Sequence, residues 1–176
     1  ERSDIACGAT SKSSRLIHGG LRYLEYGEFR LVREGLMERD RLLRLAPQFV
    51  KPMTFAIPIR RRGGGWTAAI KRFVGLSAKH VTPRGLWLTR TGLQIYDWFS
   101  RRSPLPSHTV ARCGEDVEPR VSDESRWVCR FTDAQMRFPE RYPFSLLRAS
   151  LDVSTKRNVE FRVCTHHQVR SHGSPT

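Results

Sequence analysis

Small and polar residues cluster between residues 10 and 22, and their spacing suits contacts with a flat ligand that bears phosphate. Four hydroxyl side chains come first: Thr10, Ser11, Ser13 and Ser14. His18 then precedes the pair Gly19–Gly20, and Arg22 follows. Glycines let a backbone approach a ligand closely or adopt a positive φ, and N–H groups exposed in a turn bind phosphate. From the residues alone, a serine-rich loop that caps an ordinary helix is an equally good interpretation.

His18 and Arg22 are the two side chains of this stretch that are best suited to catalysis. An imidazole exchanges a proton near neutral pH, and a guanidinium binds an oxyanion or phosphate through two parallel hydrogen bonds. If residues 18–22 are helical, the two side chains share one face. His18 can then serve either as a base or as an orienting hydrogen-bond partner.

An amphipathic helix over Glu28–Leu45 is expected directly after this stretch. Apolar residues recur at helical spacing and form one stripe: Phe29, Val32, Leu36 and Leu43. The pairs Arg30–Glu34 and Asp40–Arg44 lie one turn apart and are expected on the solvent side. Pro47 ends the helix. This pattern predicts a packing helix whose charges only solvate it.

Extended and helical patterns alternate in the middle of the chain. Phe49–Ile59 is apolar, but its two prolines confine it to an edge strand or extended chain. Arg60–Gly65 is typical of a flexible basic loop. Helices are expected at Trp66–Leu76 and at Leu86–Phe99. The second helix has an expected apolar side formed by Leu88, Ile95 and Phe99.

The last third of the chain predicts a strand, a helix and a second strand. Trp127–Phe131 favours a short strand, and a helix entered near Pro139 and Pro143 should run to about Ser154. Apolar and charged residues alternate over Val159–Cys164, which is the period of a half-buried strand. With no internal repeat, the order of elements indicates a mixed α/β or α+β fold.

Cysteine and histidine placement favours no metal site. The four cysteines form no CxxC pair, so a reducing compartment is expected rather than a disulfide framework. Thr165–His172 contains three histidines, but adjacent side chains diverge on a strand, so we predict no zinc there. Ser100–Glu124 is rich in serine, proline and charge, and its His108 and Cys113 receive no role.

The length and the net charge of the chain restrict which kinds of protein it can be. The 176 residues can build a core, and they contain no signal peptide and no apolar run long enough for a bilayer. The chain begins in mid-motif at Glu1, so we expect it to be an internal piece of a longer protein. A net charge of +14 favours anionic partners, but no zinc, RNA-binding or helix-turn-helix signature accompanies it, so nucleic acid is not expected.

Five segments together resemble the FAD-dependent glycerol-3-phosphate dehydrogenases, which belong to the amino-acid-oxidase-like flavoproteins. Residues 10–25 read TSKSSRLIHGGLRYLE, and residues 28–34 read EFRLVRE. Residues 38–47, 92–97 and 133–141 continue the likeness as ERDRLLRLAP, GLQIYD and DAQMRFPER. The segments follow one another in the family's order over most of the chain. A lone His-Gly-Gly would be a weak signal.

The resemblance implies part of a Rossmann-like FAD-binding domain and part of a substrate domain, without the first βαβ unit and its G-x-G-x-x-G turn. Residues 1–48 would belong to the FAD-binding domain, residues 49–132 to the substrate domain with a basic insertion, and residues 133–176 would return to the FAD-binding domain. It also implies roles for named side chains, with His18 and Arg22 facing the substrate. The implied FAD contacts are Glu1, Thr10, Ser11, Ser14, Leu16, His18, Gly19 and Gly20; Glu1 would bind a ribose hydroxyl.

The activity implied by the resemblance is oxidation of sn-glycerol 3-phosphate to dihydroxyacetone phosphate, with hydride transfer to FAD and electrons passed to quinone or oxygen. This is a step of glycerol metabolism. The implied location is the cytoplasm, with peripheral association at the inner face of the cytoplasmic membrane as a further expectation. The piece alone is expected to be inactive. Two alternatives are another flavin oxidase of the same superfamily and a basic, non-catalytic module that binds an anionic surface through Arg60–Arg62 and the helix arginines.

Overall fold

The computed structural model describes residues 2–65, 85–113 and 124–168, apart from the side chain of Glu25. It divides into two compact units. One comprises residues 17–135, and the other comprises residues 1–16 with residues 136–176. The expected Trp66–Leu76 helix and Glu1 lie outside the described residues. The three-segment division by function inferred from the sequence stays a prediction.

Three α-helices, one 3-10 helix and four strands are described. A short strand β1, Leu16–Ile17, is followed by a 3-10 helix at Leu21–Tyr26, helix α1 at Phe29–Leu45 and strand β2 at Val50–Ile59. Helix α2 then covers Leu86–Phe99, β3 covers Thr109–Arg112, β4 covers Trp127–Met136, and helix α3 covers Arg141–Arg157. A mixed α/β fold is therefore confirmed, while its Rossmann-like details stay a prediction.

Helix α1 confirms the predicted amphipathic helix over Glu28–Leu45. Val32 and Leu36 are buried, as their spacing required, and Arg30 pairs with Glu34 across one exposed turn at 2.8 Å. The expected Asp40–Arg44 side-chain pair is wrong. Arg44 instead donates to the backbone oxygen of Asp40 at 3.3 Å, because the Asp40 carboxylate is engaged by Arg39. The charges of α1 are thus not all on a solvated face.

Helix α2 has the predicted bounds but a different buried face. Leu86, Thr89, Leu93 and Tyr96 are its buried residues. The predicted side was partly wrong, since Ile95 is 36% exposed, whereas Phe99 does pack against the core. Thr89 and Tyr96 are polar, and so the sequence pattern hid the face that they share with Leu93.

Strand β4 is the centre of a small sheet. The strand order is β1-β4-β2, and β3 also pairs with β4, antiparallel from Thr109 opposite Arg130 to Arg112 opposite Trp127. The predicted short strand at Trp127–Phe131 is confirmed and extends to Met136. The expected edge strand over Phe49–Ile59 is confirmed as β2, which ends the strand order, as its two prolines require.

Two apolar clusters hold the unit of residues 17–135 together. One joins Leu24, Val32, Leu36 and Tyr96, and places the 3-10 helix against α1 and α2. The other joins Ile59, Leu86, Leu93 and Cys129, and places α2 against β2 and β4. Because Leu21 and Phe131 pack against both clusters, the segment before the 3-10 helix is held from several sides.

The second unit contains helix α3 and the turn-rich residues 2–13. Helix α3 has no buried residue and ends at Asn158, which adopts φ +52. The predicted strand over Val159–Cys164 is wrong: residues 159–164 form no strand, and Val159 and Val163 are 60% and 44% exposed. Alternation predicts a strand only where a neighbouring strand edge is available, and none pairs with these residues in the described chain.

None of the helices within residues 2–65, 85–113 and 124–168 is long and apolar enough to cross a membrane.

Candidate functional site

The His18–Gly20 segment, within the unit of residues 17–135, is fixed by two hydrogen bonds that its backbone N–H groups donate to side chains. The Gly19 N–H donates to the Tyr96 hydroxyl at 2.9 Å, and the Gly20 N–H donates to Nδ1 of His18 at 3.1 Å. Gly20 adopts φ +72, the left-handed region that favours glycine. The positive φ expected for this glycine pair is therefore found at Gly20.

Gly19 serves close packing against the protein itself. A Cβ at Gly19 would lie 2.6 Å from both Leu36 Cγ and the Tyr96 hydroxyl, well inside van der Waals contact. On α1, a Cβ at Gly35 would lie 3.4 Å from the Gly19 Cα. The absence of a side chain at Gly19 thus brings its backbone against α1 and within reach of Tyr96.

Tyr96 links Gly19 to a buried ion pair. Its hydroxyl donates to the Asp133 carboxylate at 2.8 and 2.9 Å, and Nη1 of Arg39 donates to Asp133 at 2.6 Å. Arg39, Tyr96 and Asp133 are each about 1% exposed. We call these three residues the buried triad. Each polar group has a charge-assisted partner, which is the condition for burying it at tolerable cost.

Two more polar groups complete the shell around Arg39. Its Nε and Nη2 donate to Asp40 at 3.0 and 2.9 Å, and Nη2 also donates to Ser103 at 2.9 Å. Ser103 in turn donates to Asp40 at 2.9 Å. Residues from α1, from the segment after α2 and from β4 therefore converge on one guanidinium.

The electrostatics of the triad keep Tyr96 protonated and Arg39 charged. Burial raises the pKa of Tyr96 far above its ordinary value, and the neighbouring Asp133 carboxylate raises it further. Burial acts to lower the pKa of Arg39, but the hydrogen bond to Asp133 and nearby negative charge raise it above the ordinary value. Around neutral pH, Tyr96 is thus both a donor to Asp133 and an acceptor from Gly19.

His18 and Arg22, the two predicted catalytic residues, are exposed and do not share a helical face. Residues 18–20 are not helical, since Gly20 is left-handed and the 3-10 helix begins only at Leu21. Nδ1 of His18 accepts from Gly20, so the proton of the neutral ring lies on Nε2. Among the described residues, no ion pair engages Arg22. Both side chains can therefore donate hydrogen bonds to a ligand.

The predicted hydroxyl contacts lie in the other unit. Ser11 is exposed, and its hydroxyl lies within hydrogen-bond distance of the backbone oxygens of Cys7 and Gly8, at 3.0 and 3.1 Å. Thr10 is half-buried, and Ser14 is exposed. Arg15 adopts φ +62, and its backbone oxygen accepts from the Met136 N–H at 2.8 Å. These residues form a hydroxyl-rich turn; Leu16, half-buried in β1, follows it.

A separate basic cavity of about 720 Å³ lies at the ends of β2 and β3 and the start of β4. Arg60 pairs with Glu124 at 2.5 Å, and the guanidinium of Arg62 lies over the Trp127 ring at 5.9 Å. The loop predicted at Arg60–Gly65 is confirmed as lacking helix or strand. The lining residues are Arg60, Arg61, Arg62, Arg112, Glu124, Arg126 and Trp127.

Sequence reasoning missed the buried triad and one histidine pair. His108 was assigned nothing, but its Nδ1 lies 2.7 Å from Asp97, whose carboxylate also accepts from the His108 N–H at 3.0 Å. Tyr96 and Asp133 lie inside segments that resemble the family, although they were not singled out. For Tyr96, the available signal is its helical spacing from Leu86 and Leu93, which places it on their face. No three metal-binding side chains come together in the part of the chain that is described.

Comparison with known proteins shows which family the sequence matches. The profile of the family DAO, FAD dependent oxidoreductase, matches residues 1–112. Aerobic glycerol-3-phosphate dehydrogenase of Escherichia coli is 43% identical over 123 residues, which cover 69% of this chain and 21% of that protein. D-erythritol 1-phosphate dehydrogenase of Brucella abortus is 42% identical over 118 residues, covering 67% and 20%. A glycerol-3-phosphate dehydrogenase of Synechocystis is 43% identical over 144 residues, covering 80% and 23%.

The chain therefore spans about a fifth of the length of these curated relatives. The matched residues 1–112 include the His18–Gly20 segment, Arg39 and Tyr96, so the family match covers most of the geometry described above. By this match the chain belongs to the family of FAD-dependent oxidoreductases, whose members use FAD.

Proposed function

We propose that the full-length protein that carries this chain oxidises sn-glycerol 3-phosphate at C2 to dihydroxyacetone phosphate. The C2 hydride would pass to FAD and the hydroxyl proton to a base, and the electrons would then pass from the reduced FAD to a quinone. Two similar proteins, from Escherichia coli and Synechocystis, are named glycerol-3-phosphate dehydrogenases. The observation that supports the proposal within this chain is the His18–Gly20 segment. Hydrogen bonds from its own backbone hold this segment, and the exposed side chains of His18 and Arg22 flank the glycine pair.

The residues of this segment fit a flavin ring. The Gly19 and Gly20 N–H groups are used internally, so the ligand-facing donors are Nε2 of His18 and the guanidinium of Arg22. Donors of this kind match the carbonyl oxygens and ring nitrogens of an electron-rich heterocycle, and also a phosphate. Bound FAD supplies the hydride acceptor. Thr10, Ser11, Ser14 and Leu16 belong to the same proposal as contacts to the cofactor, as does Glu1.

His18 is proposed to donate a hydrogen bond rather than to remove the substrate's hydroxyl proton. Its Nδ1 lone pair accepts from the Gly20 N–H, and Nε2 bears the proton of the neutral ring. To act as a base, the ring would have to lose the contact that orients it. As a donor, it orients the ligand and stabilises negative charge that develops there.

Arg22 is proposed to bind the phosphate or the C2 oxygen of the substrate. The residue is exposed and lies two positions after the left-handed Gly20, at the start of the 3-10 helix. A planar guanidinium forms two parallel hydrogen bonds to such oxygens, which a lysine does not reproduce. Arg22→Ala should lower kcat/KM about thirty- to a thousand-fold, Arg22→Lys should recover part of it, and both should retain FAD.

The test is anaerobic reduction of the bound flavin in the purified full-length protein. Bleaching near 450 nm by sn-glycerol 3-phosphate, but not by glycerol, supports the proposed substrate. Faster bleaching by D-erythritol 1-phosphate would move the protein to another oxidase of the same superfamily. A soluble quinone that reoxidises the flavin faster than oxygen supports quinone as acceptor, and the opposite order supports oxygen. Protein without flavin colour would overturn the proposal.

A second candidate function is binding to an anionic membrane surface, favoured by the basic cavity. Of the described residues that line it, five are arginines and one, Glu124, is acidic. Basic clusters of this size attract anionic lipid head groups, an attraction that salt screens. This function is compatible with the first and would place the enzyme peripherally on the inner face of the cytoplasmic membrane.

Vesicle flotation tests whether the protein binds an anionic membrane surface. We expect binding to vesicles with 30% or so anionic lipid, weakened steeply by salt, and none to neutral vesicles. Replacing Arg61, Arg62 and Arg126 with glutamate should abolish binding, whereas the same change at Arg30, Arg33 and Arg41 of α1 serves as the matched control. Equal loss in both sets would show that net charge, not the cavity, is responsible.

A further inference from the structure

We propose that Tyr96 is a positioning residue for the flavin-contacting segment, acting through its single hydrogen bond to the Gly19 backbone. The inference rests on the proposed function, because it takes the His18–Gly20 segment to be the part that meets the cofactor. Tyr96 does not itself reach the ligand side of the segment, since its hydroxyl is fully buried between Gly19 and Asp133.

The contact is specific because the hydroxyl makes hydrogen bonds in both directions. It accepts from the Gly19 N–H at 2.9 Å while it donates to Asp133 at 2.8 Å. A buried backbone N–H without an acceptor is costly. The position of Gly19 therefore depends on the position of the Tyr96 oxygen. Because Gly19 has no side chain, the two groups can approach to hydrogen-bond distance.

Tyr96 is in turn held by groups that cannot move independently. Asp133 accepts from Arg39 at 2.6 Å, and Arg39 is clamped by Asp40 and Ser103. The Tyr96 ring packs edge-on against Phe131, with centroids 6.2 Å apart. Helices α1 and α2 and strand β4 thus fix one oxygen atom, and that atom fixes the backbone between His18 and Gly20.

A purely structural role for the triad predicts something different. If the triad only stabilises the fold, its loss lowers thermal stability and leaves the segment's conformation unchanged in molecules that remain folded. If Tyr96 positions the segment, its loss alters the exchange of the Gly19 N–H and the environment of the flavin at temperatures far below unfolding.

The experiment compares Tyr96→Phe with Tyr26→Phe in the full-length flavoprotein that carries this chain. Tyr26 is 49% exposed and loses the same hydroxyl, so it is the matched control. Hydrogen exchange of the peptide that contains residues 17–20 is measured without flavin, and the flavin's absorption spectrum and reduction potential are measured after FAD is added. The rate of flavin reduction at saturating sn-glycerol 3-phosphate completes the comparison.

For Tyr96→Phe we expect at least tenfold faster exchange at Gly19, retained FAD with a changed spectrum and potential, and at least tenfold slower reduction with KM changed less than threefold. Tyr26→Phe should match the wild type. Unchanged exchange and spectrum in a folded Tyr96→Phe protein would overturn the proposal. If the wild type binds FAD but is not reduced by sn-glycerol 3-phosphate, the proposed substrate fails, and exchange and spectrum still decide the role of Tyr96.

A second variant covers the case in which Tyr96→Phe does not fold. Asp133→Asn keeps the side-chain size and an oxygen that accepts from the Tyr96 hydroxyl, but it weakens the hold of Arg39. We expect the same changes in exchange and flavin spectrum at roughly half the size, because a charge-assisted hydrogen bond is about twice as strong as a neutral one. Wild-type behaviour of Gly19 in this variant would contradict the proposal.

Discussion

At the scale of single residues, the fold depends on one charged side chain that looks ordinary in the sequence. Arg39 stands among other charges on an amphipathic helix, yet it is about 1% exposed and bound to Asp133. Its neighbour Arg41 pairs with Glu38 at the surface. Similar residues two positions apart on one helix thus make very different contributions.

Arg39→Met should lower the free energy of unfolding by about 3–5 kcal/mol, because it leaves the buried Asp133 carboxylate without its cation. Chemical denaturation of the purified chain measures the change. Arg41→Met is the control and should alter stability only slightly, since its ion pair is exposed. The double variant Arg39→Met with Asp133→Asn should lose clearly less than the sum of the two single changes; simple additivity would show that the pair is not coupled.

The proton on Nε2 of His18 leads to a second prediction at this scale. His18→Gln retains a side-chain N–H donor, so it should keep at least a tenth of the wild-type rate of flavin reduction, whereas His18→Ala should lose about a hundredfold. Stopped-flow reduction of the full-length protein measures both. If His18 were the base, the two variants would be equally slow.

Stability at high pH should depend on Tyr96 and Cys129. Burial raises the pKa of both groups in the folded chain, for Tyr96 from 10.0 and for Cys129 from 9.0. A folded pKa above the unfolded one gives stability that is complete below the unfolded pKa and is lost as the pH rises toward the folded pKa. The free energy of unfolding should thus fall from about pH 9 and faster above about pH 10, by up to ~1.4 kcal/mol per pH unit for each group.

Denaturation between pH 8 and 11 tests this dependence. Tyr96→Phe should fall less steeply above pH 10 than the wild type, whatever its stability at neutral pH. An unchanged slope would mean that Tyr96 does not carry the pH dependence.

At the scale of elements, two glycines on neighbouring elements set how closely they approach. A Cβ on Gly19 would meet Leu36 and the Tyr96 hydroxyl, and Gly35 of α1 faces the Gly19 backbone. Gly92 in helix α2 has no atom within 4 Å of an added Cβ. Substitutions at Gly19 and Gly92 therefore distinguish the effect of close packing from the effect of helix propensity.

Gly19→Ala should destabilise the chain by about 1–3 kcal/mol, because the new methyl group must displace α1 or the Tyr96 hydroxyl. Gly92→Ala should instead stabilise it by up to about 1 kcal/mol, since alanine is the better helix former. Thermal denaturation measures both in the purified chain. The interpretation of Gly19 as a packing glycine would be wrong if its substitution were neutral.

The elements also show how far sequence patterns reach. Helical spacing of apolar residues predicted α1 and the bounds of Leu86–Phe99, because that spacing is local. The burial of Arg39 was not predictable from its helix, since its partner Asp133 lies 94 residues away. The strand predicted at Val159–Cys164 failed for the same reason: alternation is local, whereas pairing needs a second strand. Within the site, His18, Gly19 and Gly20 were named from the sequence, but the Tyr96 contact that holds them was not.

At the scale of the whole molecule, we predict that the FAD site needs residues from outside this chain. The sequence contains no G-x-G-x-x-G turn, and that turn places the pyrophosphate at a helix N-terminus in dinucleotide-binding folds. We therefore expect part of the contacts to FAD to come from outside these 176 residues.

The isolated 176-residue chain should purify without flavin colour and should not reduce a quinone with sn-glycerol 3-phosphate. Absorbance near 450 nm and a dye-linked assay test both statements. The full-length protein, prepared in parallel, is the positive control. Stoichiometric FAD on the isolated chain would show that residues 1–176 suffice for the cofactor.

The reach of the buried triad has a consequence for the order of folding during synthesis. The acceptor of the Gly19 N–H, Tyr96, lies 77 residues later in the chain. The carboxylate that binds Arg39, Asp133, lies 94 residues later. Contacts so distant along the chain form late and slow the approach to the native state. On the ribosome, α1 can form as soon as it emerges, but the His18–Gly20 segment takes its final shape only after β4 has been made. A nascent chain that stalls before residue 133 can therefore contain a folded α1 while its His18–Gly20 segment has not yet reached its native conformation.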